Sequence, residues 1–165
     1  MLLLTLIFFG TLLWGSFGEW MIHRFLMHRR FVLLPYPYDS HALGHHRIFR
    51  ADATYHALDA DMLTHITFDP RDYLLILVTH VPVIVSLEWL TGVAFLAPVV
   101  ALAVVSYTGA FDILHWAYHV PRGRWMERWR WFKWLKENHR LHHEMQDRRF
   151  NVVIPLADFV LRTGR

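Results

Sequence analysis

The chain has 165 residues, of which 55% are hydrophobic and 16% aromatic, while only 19% are charged. Because soluble domains carry roughly 25% charged residues, this composition favours a membrane protein, and the length favours a single domain over residues 1–165. The sequence has no cysteine, which excludes disulfides, thiolate metal sites and iron–sulfur clusters. Any bound metal must be held by carboxylates and by some of the thirteen histidines.

The first predicted element is an apolar helix over residues 2–22, which is long enough to cross a bilayer. A secretory signal peptide is the alternative for this block. It would need a basic segment before the apolar run and a small-residue cleavage site after it. The apolar pattern instead continues into Trp20, Met21 and Ile22, so we predict a membrane span.

A second apolar block covers residues 73–111 and is too long for one span. Polar and turn-forming residues at 88–92 interrupt it, which predicts two antiparallel membrane helices over about 70–90 and 92–112. His80 lies inside the first of these helices. A lone histidine within a membrane helix is a candidate functional residue, and a simple hydrogen-bonded helix contact is the alternative interpretation.

The placement of the basic residues predicts the topology. All 17 lysines and arginines fall in residues 24–71 or 122–165, and none falls in 1–23 or 72–121. By the positive-inside rule, residues 23–69 and 113–165 are expected on the cytoplasmic side of a bacterial inner membrane or endoplasmic reticulum. Aromatic and basic residues alternate over 122–136, which is typical of a helix in the headgroup region. A nucleic-acid partner is not expected, because the basic residues form no stripe on a soluble surface.

Ten histidines form four clusters on that predicted side. A pair four residues apart projects from one helical face and can bind one metal, whereas neighbouring histidines diverge by about 100° and are expected to reach two neighbouring metals. The first pair, five residues apart, would lie about 140° apart on a regular helix, so it straddles a helix end or reaches different metals. The clusters are His23-x4-His28, His41-x3-His45-His46, His115-x3-His119 and His139-x2-His142-His143.

Ten imidazoles exceed the coordination number of one ion, so the sequence predicts two metals, and neutral imidazole suits iron, copper, zinc and nickel. Glu19 lies one turn before His23, and Asp112 lies three residues before His115. Each carboxylate is a candidate to accept the second ring N–H of a ligand or to help hold that ligand. His56 and His65 lie outside the pattern and are expected at the surface or beside the ligands.

The histidine order, threaded between membrane helices, resembles that of the fatty acid hydroxylase/sterol desaturase superfamily of integral-membrane di-iron oxygenases. The closing stretch 150–163 is similar to the family's N-F-G-x-x-x-P-L-W-D-x-x-F-G-T, with matches at Phe150, Pro155, Leu156, Asp158 and Thr163. The departures include Arg149 for Asn, Asn151 for Gly, Ala157 for Trp and Arg162 for Gly. Since Asn tolerates a left-handed backbone, the turn at Asn151 is expected to survive.

The resemblance implies an all-α integral membrane protein with about three transmembrane helices and a cytoplasmic helical cap that holds a dimetal site. It assigns the ten clustered histidines as ligands of two iron ions, with adventitious zinc possible in a purified sample. It further implies O2 as co-substrate, hydroxylation or desaturation of an unactivated C–H bond of a bilayer lipid, most simply a fatty-acyl chain, and an external electron donor of the cytochrome or ferredoxin type. The basic segment 122–136 could dock that donor.

Two alternatives remain open. Carotenoid ring hydroxylases share this length and a stretch like His23-Arg-Phe-Leu-Met-His28, but they generally lack the Pro-Leu-x-Asp tail. A membrane metal transporter or metal-binding protein would also explain thirteen histidines. Transport predicts ligands at mid-membrane depth, whereas His80 alone is expected there.

Overall fold

The computed structural model covers residues 1–165, and its regular elements are all helical. This confirms the predicted all-α class. Three helices are long and five are short, and the histidine clusters lie on or beside both kinds. The long helices are α1 (Leu2–Ile22), α5 (Pro70–Thr91) and α6 (Leu96–His119); the short ones are α2 (Tyr36–Ser40), α3 (His46–Ile48), α4 (Ala60–Leu63), α7 (Arg130–Glu144) and α8 (Leu156–Val160).

Two π-helical turns extend this framework. One, His23–Met27, continues α1, and the other, His41–His45, joins α2 to α3. In each turn the backbone N–H of residue i+5 donates to the carbonyl of residue i, as in the 3.1 Å bond from His28 to His23. Residues five apart are therefore stacked on one face.

Three segments are long and apolar enough to cross a membrane, namely Leu2–Met27, Pro70–Thr91 and Leu96–His119. Most of their side chains point outward, as Leu6, Phe9 and Leu77 do. Soluble proteins rarely expose apolar patches of this size. The three predicted helices of spanning length are thus present, as a membrane protein requires.

The hairpin between α5 and α6 departs from the predicted bounds. At the start of α5, Asp69 and Asp72 form a capping box, with the Asp69 carboxylate accepting the Arg71 N–H at 2.6 Å. At the other end, α6 begins at Leu96 rather than at 92, because the intervening turn holds Gly92 and Phe95 at positive φ. It then continues to His119 rather than ending at 112, and Pro121 follows two residues later.

Helix α1 packs closely on α6 at a small residue. A Cβ atom added to Gly15 would lie 2.7 Å from the ring of Tyr107. Small residues permit this close approach of membrane helices, and the contact brings the ends of α1 and α6 together. Beyond it, α6 and α7 share a core with the chain after α7, formed by Phe111, Ala117, Tyr118, Phe132, Leu135 and Val152.

The closing segment folds back under α1. Asp158 of α8 accepts the backbone N–H groups of Phe150 and Asn151 at 3.1 and 2.7 Å. The expected left-handed turn at Asn151 is wrong, because the left-handed residues here are Arg149 and Arg162. The Asn151 side chain instead donates to the Ser16 carbonyl at 2.8 Å and accepts the Asp158 N–H at 3.0 Å.

Candidate metal centre

All ten clustered histidines converge in two groups of five. Within each group the ligand nitrogens lie within 4.8 Å of one another. The two groups are neighbours, since the rings of His46 and His143 stack at 4.2 Å across them. Group A consists of His23, His28, His41, His46 and His142, and group B consists of His45, His115, His119, His139 and His143.

The predicted division of neighbouring histidines is confirmed, because His142 and His143 face different groups, as do His45 and His46. Of the two possibilities for His23 and His28, the structure confirms that they straddle a helix end, because α1 ends at Ile22. They belong to the same group and so do not reach different metals. The π turn provides the reason, because it places residues five apart on one face.

The rings approach one another through their Nε2 atoms. Within each group, neighbouring Nε2 atoms are separated by about the length of a hydrogen bond. In group A the distances are 2.9 Å for His23–His41, 3.0 Å for His28–His142 and 3.0 Å for His41–His46. In group B they are 3.2 Å for His45–His115, 3.2 Å for His45–His143, 3.1 Å for His119–His139 and 3.0 Å for His139–His143.

Backbone carbonyls fix the tautomer of six rings. A carbonyl oxygen only accepts hydrogen bonds, so the ring Nδ1 that faces it must carry the proton and Nε2 must present a lone pair. The six pairs of ring and carbonyl are His23–Phe150, His45–His65, His115–Ile66, His119–Tyr55, His142–Arg148 and His143–Phe49, at 2.5–2.8 Å. The Nδ1 atoms of His46 and His139 are buried without a partner, so packing alone orients those rings.

This tautomer assignment rules out ordinary hydrogen bonding at the centre of group B. His45, His115 and His143 all commit their Nδ1–H to carbonyls, yet their Nε2 lone pairs meet at 3.2 Å. A proton is disfavoured there, because burial and then the neighbouring imidazoles hold the pKa of His45 and His143 well below the ordinary histidine value. A bound metal cation would stabilise such converging lone pairs.

Burial also keeps the rings of group A neutral. Burial lowers the pKa of His142 to about 4, and burial together with His142 lowers the pKa of His28 to about 3. Both rings therefore stay neutral near pH 7, and His142, whose Nδ1–H donates to the Arg148 carbonyl, keeps its Nε2 lone pair available. Neutral imidazole is the form that binds metals.

The distances match a metal's coordination shell. With metal–nitrogen bonds of about 2.0–2.1 Å, ligands at right angles lie about 2.9–3.0 Å apart, whereas tetrahedral ligands lie about 3.3–3.4 Å apart. The observed separations of 2.9–3.2 Å correspond to angles of about 90–105°. Five nitrogens at such angles suit a five- or six-coordinate ion and leave room for one further ligand. The residues present therefore fit the two metal ions that the sequence predicted.

The two groups differ in access. All five histidines of group B are buried, whereas group A contains one half-buried ligand, His28. The other four ligands of group A are buried as well. Group A is thus accessible from the protein surface at His28, whereas group B is enclosed by the protein.

Asp112 makes no hydrogen bond to a ligand ring, so of its two predicted roles direct acceptance of a ring N–H is wrong. Its carboxylate accepts the backbone N–H of Phe68 at 2.9 Å and the hydroxyl of Tyr73 at 2.6 Å. The ring of His115 donates instead to the carbonyl of Ile66, two residues before Phe68. Asp112 therefore acts indirectly, because it anchors the loop that orients the ligand.

Glu19 forms the same arrangement on α1. It accepts the backbone N–H of Val152 and the hydroxyl of Tyr107, the latter at 2.6 Å. The ring of His23 donates to the carbonyl of Phe150, two residues before Val152. Direct acceptance by Glu19 was thus also wrong. In both cases a carboxylate and a tyrosine hold a segment whose carbonyl orients a histidine.

The remaining three histidines lie outside both groups. His65 is exposed, but its backbone carbonyl orients His45. His56 accepts from the Lys136 ammonium at 2.9 Å. His80 bonds within α5 to the carbonyl of Ile76 at 2.9 Å, which supports its interpretation as a helix contact.

Comparison with protein-family models, with curated proteins and with solved structures found no match for this chain. The chemistry of the two groups is therefore the basis for a function. Metal ions held by these nitrogen ligands would each have room for one further ligand, such as a small molecule.

Proposed function

We propose that this protein is a membrane-bound di-iron oxygenase that hydroxylates or desaturates an unactivated C–H bond of a lipid, most simply of a fatty-acyl chain. This is the activity implied by the resemblance to the fatty acid hydroxylase/sterol desaturase superfamily. The observation that carries the proposal is the convergence of ten Nε2 atoms in two five-nitrogen groups, at the ends of helices long enough to cross a membrane.

A redox role is favoured over a structural one by the ligand number. Structural zinc sites are four-coordinate, tetrahedral and closed, whereas each group here offers five nitrogens, one more than such a site holds. When bound, two iron ions would supply the activation of O2 and the oxidation of the C–H bond. For hydroxylation the balance is R–H + O2 + 2 e⁻ + 2 H⁺ → R–OH + H2O, so an external one-electron carrier must provide both electrons.

The chain's own contribution is to hold and shield the site. The six carbonyl acceptors keep Nδ1 protonated and direct each Nε2 inward. Burial of nine of the ten rings keeps water out and the imidazoles neutral. His23 and His28 belong to or directly follow the segment Leu2–Met27, and His119 ends α6. A lipid chain in the bilayer is therefore close to the metal groups.

Metal transport or storage is the rival function. A transporter places ligands along a path through the membrane. Here the ligands gather at one end of the long helices, and His80, which lies well inside α5, is engaged with its own helix. This placement favours chemistry at the membrane surface over passage across it.

The test combines metal analysis with lipid analysis. Protein purified from iron-supplemented cells should contain about two metal ions per chain, and cells that express it under ¹⁸O2 should accumulate a labelled hydroxyacyl lipid. A His139→Ala variant should lose the product, whereas His56→Ala should retain it. A labelled xanthophyll would instead assign the carotenoid reaction. Two bound metals with no O2-dependent product in any lipid fraction would contradict the oxygenase.

A further inference from the structure

A cleft lies at the point where group A reaches the outside. It has a volume of about 260 Å³, and His28 forms part of its wall. His28 is the one half-buried ligand, so the cleft reaches a ligand of group A from the protein surface. The remaining lining residues are Arg24, Arg29, Gln146, Asp147 and Phe150.

Two arginines on this cleft have no acidic partner. The chain's five ion pairs involve other basic residues, and neither Arg24 nor Arg29 donates a side-chain hydrogen bond. Their guanidinium groups lie against aromatic rings instead, with Arg24 Cζ 4.9 Å from the Trp20 ring centre and Arg29 Cζ 5.2 Å from that of Phe25. Stacking of this kind positions a guanidinium while its in-plane N–H donors remain free for a carboxylate or phosphate.

One acidic residue, Asp147, also lines the cleft. It is exposed, and its carboxylate lies 3.8 Å from the Arg148 guanidinium, so part of its charge is compensated. The cleft thus keeps two unpaired positive charges against one paired negative charge. This balance favours an anion over a cation.

The two arginines lie at the end of the first segment of membrane-spanning length, so an anion bound to them would lie near the bilayer surface. Arg24 belongs to the segment Leu2–Met27, which is apolar enough to span a membrane, and Phe25 beside it is exposed. Basic and aromatic residues at the end of a span are typical of the headgroup layer. An anionic group held by Arg24 and Arg29 would therefore belong to a molecule whose apolar chain lies along α1.

We propose that Arg24 and Arg29 bind the carboxylate or phosphate head of a single-chain lipid and so place the substrate beside the His28 side of group A. This inference rests on the proposed function, because it takes the bound lipid as the substrate. It names the substrate class as a lipid with an anionic head. The volume of about 260 Å³ suits a head group and leaves the chain outside the cleft, in the bilayer.

The experiment measures binding without turnover, on metal-loaded protein in phosphatidylcholine vesicles. The probes are doxyl-labelled stearic acid, at a pH where it is ionised, and its uncharged methyl ester. Electron paramagnetic resonance gives the immobilised fraction of each probe. The wild-type protein should bind the acid about tenfold more tightly than the ester, and Arg24→Gln and Arg29→Gln should each remove most of that difference.

Arg30→Gln is the matched control, because it removes the same charge at the residue next to Arg29. The Arg30 guanidinium does not line the cleft and instead faces Asp39 at 3.3 Å. It should bind the acid as the wild type does. Equal binding of acid and ester by the wild type would overturn the proposal, as would an equal loss in Arg30→Gln. A monoacyl phosphate should displace the labelled acid. Displacement by inorganic phosphate at the same concentration would show a free-anion site and would also overturn it.

The outcomes also separate this inference from the proposed function. Metal content is measured on every variant, so a misfolded protein is recognised by loss of its ions. Selective binding of the acid in a protein that yields no O2-dependent product would refute the oxygenase and leave the head-group site standing. A product formed equally well from the acid and the ester would refute the head-group site and leave the oxygenase standing.

Discussion

His142 and His143 are adjacent in the sequence and line different groups, so they form a matched pair for testing the two-site arrangement. The perturbation is His142→Ala in one variant and His143→Ala in the other. Each removes one of five nitrogens from one group and leaves the other group's five nitrogens in place. We expect each variant to keep about one metal ion per chain after dialysis against a chelator, where the wild type keeps about two.

The magnitude follows from the ligand count and from linkage. Removing a residue that merely orients a ligand lowers metal affinity about 10–100-fold, so removing the ligand itself should lower it by at least about 100-fold. A 100-fold weaker dissociation constant removes about 2.7 kcal/mol of metal-dependent stabilisation at a saturating metal concentration. For a chain of this size the corresponding fall in melting temperature is roughly 5–11 °C.

The assay pairs metal analysis with thermal unfolding at a fixed free-metal concentration. His56→Ala serves as the control, because His56 lies outside both groups and bonds only to Lys136. It should keep both ions and the wild-type melting temperature. If either variant lost both ions, the groups would behave as one site. If either kept both ions with an unchanged melting temperature, that ring would not be a ligand.

Three further predictions follow from access, packing and anchoring. A chelator should remove the metals in two kinetic phases, with the faster ion coming from group A at the half-buried His28; a single phase for both ions would contradict the difference in burial. Gly15→Ala should destabilise the protein by about 1–3 kcal/mol through overpacking against α6, whereas Gly18→Ala, with nothing within 4 Å, should be neutral; equal melting temperatures would refute the close contact. Asp112→Ala should weaken metal binding by group B about 10–100-fold, because it frees the loop that orients a ligand, whereas Tyr73→Phe should change it much less, since the carboxylate keeps its backbone partner; titration of each apo protein with Fe²⁺ would show an error here if the two variants behaved alike.

Much of the site could be predicted because helical periodicity is regular. His139 and His143, four apart on α7, share a group, and His142 between them turns to the other. The same rule failed for His23 and His28, since the sequence gives no sign that α1 widens into a π turn. The placement of helices of spanning length was predicted from hydrophobic runs, yet α6 proved longer because apolar pattern alone does not mark where a helix ends.

The groups that orient the ligands could not be predicted from side-chain types. Six rings donate to peptide carbonyls, and every residue carries such a carbonyl whatever its side chain. Glu19 and Asp112 were identified as relevant carboxylates, but their partners are backbone N–H groups of distant segments. Those partners depend on how the chain folds back, which no local pattern reports.

The π turns have a consequence for how histidine spacing tolerates insertions and deletions. On a π turn, ligands separated by four intervening residues occupy one face, as His23 and His28 do. On an α-helix the same relation requires three intervening residues, as for His115 and His119. One inserted residue can therefore be absorbed by widening a turn, with both donors kept on the same ion. Related chains whose histidine spacings differ by one residue can thus retain the same coordination. The inserted residue would be visible as a π turn in one structure where the other has an α-helical turn.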